Sequence, residues 1–119
     1  MSKTTQGKTF EEIAAKFLKR RKYKILETNA RISHKEIDII CEKNGVVHFI
    51  EVKGRTSETF GNVTETISSK KKENLIIGAQ LWLQEKDLTE KDWQIDFIGI
   101  LDNKEKQEIT HIENAINRL

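Results

Sequence analysis

The sequence has no proline and only one cysteine among its 119 residues. A single cysteine, Cys41, excludes an internal disulfide, and no group of Cys and His residues has the spacing of a structural zinc site. Without proline, the boundaries of helices are marked less sharply than usual. The sequence therefore excludes the disulfide-rich and zinc-finger classes of small protein.

Long hydrophobic runs are also absent. No stretch is long enough to cross a bilayer. Residues 1–9 are polar, with two lysines, and they lack the apolar centre of a secretory signal. We therefore expect a cytoplasmic protein with no membrane partner.

The composition is typical of a globular domain. Hydrophobic residues make up 36% of the chain and charged residues 34%, which allows a modest core and is too polar for a fibre. A length near the commonest domain size predicts one domain over residues 1–119. Within it we expect residues 1–7 to be flexible and residues 56–62 to form a mobile loop.

The formal charge is nearly balanced at +2, but two runs of basic residues stand out. They are Lys19, Arg20, Arg21, Lys22 and Lys24, and then Lys70, Lys71 and Lys72. Such runs indicate contact with nucleic acid or, equally, solvated faces of helices. The sequence leaves both interpretations open.

Hydrophobic spacing predicts an α/β order of elements. Two segments have helical periodicity, and the others have the alternation or β-branched content of strands. The predicted helices are residues 8–22, with Thr9 as the amino-terminal cap, and residues 68–86. The predicted strands are residues 23–32 at the margin of a sheet, 36–41, 46–53 and 95–101, with a short last strand near 109–112 and a turn of helix at 114–119.

Asn44-Gly45 is the strongest hairpin signal in the chain, because both residue types tolerate the backbone of a two-residue turn. With these residues at the centre of the turn, Asp38 lies opposite Glu51. Lys53, two residues further along, projects from the same side as Glu51. A three-residue turn or a bulge would move Asp38 out of line.

The other side of this predicted hairpin is apolar. It carries Ile37, Ile39, Cys41, Ile50 and Val52. We expect this side to pack against helices while the charged side stays open. His48 also falls on the apolar side, where a hydrogen-bonded structural role is expected.

Two facing carboxylates destabilise a bare sheet by about 0.2–1 kcal/mol, so folding alone gives no reason for Asp38 to lie opposite Glu51. A divalent cation removes the repulsion, and two carboxylates with retained water suit Mg²⁺ or Mn²⁺. Glu11 shares the inward stripe of the first helix with Ala14 and Leu18, which makes it a candidate third carboxylate. The alternative is that these charges are solvated and form ordinary salt bridges.

The order of a helix with Glu11, then Glu36-Ile37-Asp38, then Ile50-Glu51-Val52-Lys53 resembles the PD-(D/E)xK nuclease superfamily, which includes restriction endonucleases and archaeal Holliday junction resolvases. Nearly the whole chain resembles one branch, the YraN-like family of small bacterial proteins. The further residues that carry this resemblance are Ala14, Leu18, Asn29, Arg31, Gly54-Arg55, Phe60-Gly61, Glu65, Lys71, Leu75, Asp96, His111 and Asn114-Ala115. The departures from the family pattern are Lys35, Gln94, Ile95 and Ile116, none of them a proposed metal ligand.

The resemblance implies a restriction-endonuclease-like fold, with a central mixed sheet flanked by helices. It also implies a metal-dependent nuclease that hydrolyses phosphodiester bonds, most naturally those of DNA, with Mg²⁺ or Mn²⁺ as cofactor. The implied active residues are Asp38, Glu51, Lys53 and Glu11, and the three acidic ones are the implied metal ligands. The candidates for contacts with backbone phosphates are Arg31, Arg55 and Lys71. A homodimer would let two sites address two strands.

Two other functions stay open on the sequence. One is a non-catalytic nucleic-acid-binding module with the same fold, which would bind without metal and cut nothing. The other is a structural or protein-interaction domain, for which neither nucleic acid nor Mg²⁺ is a ligand.

Overall fold

A mixed sheet with a helix on each face forms the body of the protein. The computed structural model describes residues 6–57 and 67–116. The predictions for residues 1–5, 58–62 and 117–119 lie outside the described residues. The elements are α1 Gln6–Arg20, β1 Lys24–Ile32, β2 Lys35–Lys43, β3 Val46–Arg55, α2 Ser69–Glu85, β4 Asp92–Asp102 and β5 Gln107–Ile112.

Within the described residues the five strands form one sheet in sequence order, from β1 at one edge to β5 at the other. All neighbouring pairs are antiparallel except β3 and β4, which are parallel. A parallel pair needs a crossover connection, and α2 lies on it. The predicted α/β class, a single domain with a mixed sheet flanked by helices, is confirmed. No helix in the described part of the chain is long and apolar enough to cross a membrane.

The turn between β2 and β3 has the predicted form. Asn44 and Gly45 have φ of 53° and 79°, as a type I′ turn requires. The resulting ladder pairs Ile39 with Ile50, which is the predicted register. The edge position of β1 is also as predicted.

Apolar side chains cover both faces of the sheet, so the prediction of one apolar and one open face is wrong. Along β3, Phe49 packs on the α2 side and Ile50 on the α1 side. The α1 side buries Phe10, Ala14, Leu18, Tyr23, Ile39, Cys41, Ile50, Ile98 and Ile100. The physical reason is the parallel β3–β4 pair, since its crossover helix covers the second face.

The predicted apolar side of the hairpin is correct except for Ile37. Ile37 is buried on the α2 side, where its Cδ1 lies 3.4 Å from the position that a Cβ on Gly78 would occupy. The ladder is interrupted one residue away, since Asp38 and the opposing Asn29 are absent from the β1–β2 pairs, and Asn29 has a φ of 53°. A positive φ at Asn29 interrupts the alternation of side chains along β1.

Two smaller predictions also need correction. Because α1 begins at Gln6, Thr9 lies inside the helix and is not its cap. Residues 114–116 are not helical, because the Asn114 amide donates to Asp96 Oδ1 and the Ala115 amide donates to the Ile95 carbonyl. These bonds hold the segment against β4.

Candidate metal centre

The strands β2 and β3 separate at the end of the sheet that is remote from their turn. The last laddered pair is Ile39 with Ile50. Beyond it, Asp38 Oδ2 accepts a hydrogen bond from the Val52 amide at 2.8 Å. The Asp38 side chain thus takes the place of a strand-to-strand bond, which fixes its carboxylate at the gap between the strands.

Glu51, one residue past the last laddered pair, is buried with 6% of its surface exposed. Burial and the nearby Asp38 charge raise its pKa to about 7. Lys71 of α2 opposes this shift, with its Nζ 3.7 Å from Glu51 Oε2. Glu51 therefore faces the α2 side, as Phe49 does.

Asp38 contacts Glu11 of α1, the helix on the other face of the sheet from α2. Burial is the main cause that raises the Asp38 pKa, while the Val52 amide and the Lys71 charge lower it. Burial and the Asp38 charge also raise the Glu11 pKa, and the two side chains form a hydrogen bond. A hydrogen bond between two carboxyl groups requires that the pair share one proton. The cluster thus joins α1, β2 and β3.

The two lysines near the cluster differ in exposure. Lys53 is exposed, and its charge lowers the Glu51 pKa. Lys71 is half-buried, with its Nζ 3.7 Å from Glu51 Oε2, and its amide donates to Ser68 Oγ, which caps α2, at 3.1 Å. Sequence reasoning proposed Lys71 for phosphate contact and missed its pairing with Glu51. The serine three residues before Lys71 marks the start of α2 but not its strand partner, so the sequence carried no signal for this pairing.

Arg31 is paired with Glu36 in an exposed salt bridge. Both side chains line a pocket of about 160 Å³ together with Asn29, Ile37 and Asp38. The pocket therefore opens beside the Asp38 carboxylate. Arg55, the third predicted phosphate contact, is half-buried at the last residue of β3.

Asp38 and Glu51 are the candidate ligands of a divalent cation. In the described chain, Glu11, Asp38 and Glu51 do not form a group whose ligand atoms all lie within 4.8 Å of one another. The Asp38 and Glu51 charges nevertheless act directly on each other. Mg²⁺ usually takes one or two protein carboxylates and keeps several waters, so a donor set of two carboxylates matches its chemistry.

A second buried carboxylate lies elsewhere on the sheet. Asp96 Oδ2 accepts from His48 Nδ1 at 2.6 Å and from His111 Nε2 at 2.8 Å. Its Oδ1 accepts from Gln94 Nε2 and from the Asn114 amide, both at 2.9 Å. Burial alone would raise the Asp96 pKa, but these four donors hold it well below its usual range.

Ligand atoms of His48, Asp96 and Glu113 all lie within 4.8 Å of one another. Each Asp96 oxygen already accepts two hydrogen bonds, so a cation would have to displace a histidine proton. We interpret this group as structural, in agreement with the expectation for His48. Sequence reasoning missed the network because its members come from strands far apart in the chain.

Comparison with known proteins gives one consistent family. The model of the uncharacterised protein family UPF0102 matches residues 10–100. A UPF0102 protein of Sulfurihydrogenibium is 39% identical over 117 residues, which is 98% of each chain. Others from Persephonella marina and Syntrophomonas wolfei are each 38% identical, over 94% and 88% of this chain and 93% and 91% of their own lengths. The chain therefore belongs to the uncharacterised protein family UPF0102.

Proposed function

We propose that this protein is a metal-dependent nuclease that hydrolyses phosphodiester bonds, with DNA as the substrate that the resemblance favours. The observation that carries the proposal is the pair of carboxylates, Asp38 and Glu51, at the gap between β2 and β3. Burial raises the pKa of both, and the charge of Asp38 raises that of Glu51 further. Perturbed acidic groups of this kind concentrate at functional sites.

A structural role explains this pair less well. A buried carboxylate whose only purpose is structural is satisfied by donors, as Asp96 is. Glu51 instead has a nearby like charge and one lysine at 3.7 Å. Without a cation, the ionised form of Glu51 is destabilised in this arrangement. A bound cation would remove that penalty, which is the property expected of a cation site.

The chain's own residues have distinct roles in this proposal. Asp38 and Glu51 bind Mg²⁺ or Mn²⁺, and Glu11 orients Asp38 through their hydrogen bond. The ion supplies polarisation of the phosphate and a lowered pKa of coordinated water. Lys53, exposed on the Glu51 side of β3, orients the attacking water or neutralises the developing charge.

The wider arrangement supports the same chemistry. The order of Glu11 on a helix and of Asp38, Glu51 and Lys53 on two adjacent strands resembles the PD-(D/E)xK superfamily. Arg31, Arg55 and Lys71 are the proposed phosphate contacts. Arg31 lines the pocket beside Asp38, and Lys71 contacts Glu51. Phosphate contacts position nucleic acid without selecting a sequence.

The test is incubation of the wild-type protein with linear, branched and single-stranded DNA and RNA, in Mg²⁺ or Mn²⁺. We expect cleavage that EDTA abolishes. Asp38→Asn should lose both cleavage and calorimetric ion binding, whereas Lys53→Ala should keep ion binding and cut more slowly. If the wild type cuts nothing and Asp38→Asn leaves ion binding unchanged, the proposal fails and a non-catalytic binding module replaces it.

Glu11 and Glu12 provide a matched pair of variants. Both are acidic residues at adjacent positions of α1, but Glu11 contacts Asp38 and Glu12 is exposed. Glu11→Gln should therefore weaken ion binding and slow cleavage. Glu12→Gln removes the same charge and should change neither.

A further inference from the structure

The carboxyl-terminal end of α1 carries a concentrated positive charge that the metal centre does not use. Six cations lie between Ile13 and Leu26, with no acidic residue among them. They are Lys16, Lys19, Arg20, Arg21, Lys22 and Lys24, and we call them the α1 basic surface. Outside it the chain holds 15 Lys and Arg against 19 Asp and Glu, so the rest of the protein is net negative. The charge of the molecule is therefore strongly polarised.

These six side chains are exposed, and none of them forms an ion pair within residues 6–57 and 67–116. Arg21 stacks on Phe17, with its Cζ 4.4 Å from the ring centroid. Lys43 extends the positive charge at this end and lies 4.8 Å from the centre of the Tyr23 ring. The neighbouring acid Glu42 is already paired with Lys91 at 2.7 Å. The surface is thus available to an external anion.

Stabilisation of the helix does not account for this charge. Cations in a last turn favour the helix dipole, but the longer α2 has none in its last turn and one lysine, Lys86, at its cap. Lys22 also has a φ of 75° just past the end of α1, where glycine is the favoured residue. A lysine there costs roughly 1 kcal/mol, which indicates a use for its side chain.

We infer that the α1 basic surface binds the phosphate backbone of a nucleic-acid duplex at a distance from the metal centre. Glu11 and Lys19 are eight residues apart on α1, which is about 12 Å along a helix axis. A duplex advances about 3.4 Å per base pair, so the separation corresponds to roughly four base pairs. The substrate must then extend at least that far beyond the scissile bond. The link to cleavage rests on the proposed nuclease function, but binding at this surface does not.

An anionic membrane fits the surface less well. Interfacial helices insert an apolar face into the lipid, whereas the apolar face of α1 is buried on the sheet. The large exposed hydrophobic residue of the described chain is Ile77, on α2. The α1 basic surface therefore has charge but no apolar group to insert.

The test is fluorescence anisotropy of a labelled duplex of about 20 base pairs, titrated in EDTA at several salt concentrations. The test variant is Lys19→Gln/Lys22→Gln. The control, Lys86→Gln/Lys104→Gln, removes the same charge from exposed positions elsewhere. Loss of two phosphate contacts should reduce the salt slope by about two and the affinity by about sixtyfold near 0.1 M salt. The control should bind nearly as the wild type does, and equal losses in the two variants would overturn the inference.

Three further experiments identify the ligand and the length of duplex that the protein contacts. The test variant should lose affinity for DNA and RNA duplexes to the same extent, because both have a phosphate backbone. The ratio of the wild-type affinities for the two duplexes identifies the preferred ligand. Cleavage should be compared on duplexes that extend roughly two and twelve base pairs beyond the cut. The test variant should cleave the longer duplex more slowly than the wild type does, and the shorter duplex at the same rate. Binding to phosphatidylserine vesicles instead of duplex would overturn the inference. Duplex binding in EDTA requires no cleavage, so a failure of the nuclease proposal leaves this result standing.

Discussion

Glu51 and Asp96 are buried carboxylates on neighbouring strands, with 6% and 0% of their surfaces exposed, yet their pKa values are shifted in opposite directions. Burial raises the pKa in both cases. Asp96 has four hydrogen-bond donors that reverse the effect, whereas Asp38 adds a second negative charge beside Glu51. Two carboxylates buried to a similar depth thus differ in charge stability. Asp96 is a stabilised anion, whereas the ionised form of Glu51 is destabilised.

The comparison shows what distinguishes a structural acid from a candidate ligand in this fold. The Asp96 network connects β3, β4 and β5 and leaves no oxygen in need of a cation. The Asp38 and Glu51 pair lies where the β2–β3 ladder ends, and it needs a cation or a proton. Metal-ligand geometry alone selects the Asp96 cluster, whereas the unmet need for donors favours the Asp38 and Glu51 pair.

The largest effect is expected when the structural acid is removed. Asp96→Asn should destabilise the protein by about 3–5 kcal/mol, because a buried network loses its charge and at least one amide hydrogen has no acceptor. Thermal unfolding near neutral pH measures this loss. The low Asp96 pKa also predicts that wild-type stability falls as pH drops below about 4, and that the variant lacks this dependence. A variant as stable as the wild type would contradict the structural interpretation.

Removal of the Glu51 carboxylate should instead stabilise the metal-free protein. The folded Glu51 pKa of about 7 lies above 4.5, the ordinary value for glutamate, so the native state holds more protons in this window and stability falls as pH rises from about 4.5 to 7. Glu51→Gln removes the charged form and should stabilise the metal-free protein at pH 8 by on the order of 2 kcal/mol. The gain should disappear near pH 4. Unfolding in EDTA at the two pH values tests this, and added Mg²⁺ should stabilise only the wild type.

A smaller effect is expected at Lys71, because its side chain is 40% exposed and solvent screens its charge. Lys71→Gln should raise the Glu51 pKa further, with a change in stability below about 1 kcal/mol. NMR titration of the Glu51 carboxyl carbon gives the direction of the shift. Lys72→Gln, at the exposed neighbouring position, is the matched control. A lower Glu51 pKa in Lys71→Gln would show that a charge other than that of Lys71 controls the Glu51 pKa.

The hairpin was predictable because its signal is local. Asn44 and Gly45 determine the turn, and the turn fixes which residues of β2 and β3 face each other. The break at Asp38 was not predictable, because neither the hairpin turn nor the periodicity of β2 marks where its ladders with β1 and β3 are interrupted. Periodicity reports which residues alternate and does not report where a strand is interrupted.

The candidate site was predictable only in part for a similar reason. The hairpin predicts that Asp38 lies near Glu51, but the observed ladder ends one pair earlier, at Ile39 and Ile50. The inward position of Glu11 follows from helical spacing. The Lys71 contact and the Asp96 network depend on packing between elements that are distant in sequence. Such contacts require the crossover through α2 and the position of β5 at the sheet edge, neither of which periodicity determines.

The smallest effect on stability is expected at the Arg31–Glu36 pair, whose side chains are 68% and 58% exposed. A double-mutant cycle with Arg31→Gln and Glu36→Gln should give a coupling energy below about 1 kcal/mol, because exposed ion pairs gain little over solvation. Their effects on nucleic-acid binding should differ in sign. Arg31→Gln should weaken duplex binding, whereas Glu36→Gln should strengthen it, because it frees a cation beside Asp38 and removes a negative charge from the pocket. If both variants weaken binding equally, the intact ion pair, and not the Arg31 charge, shapes this pocket.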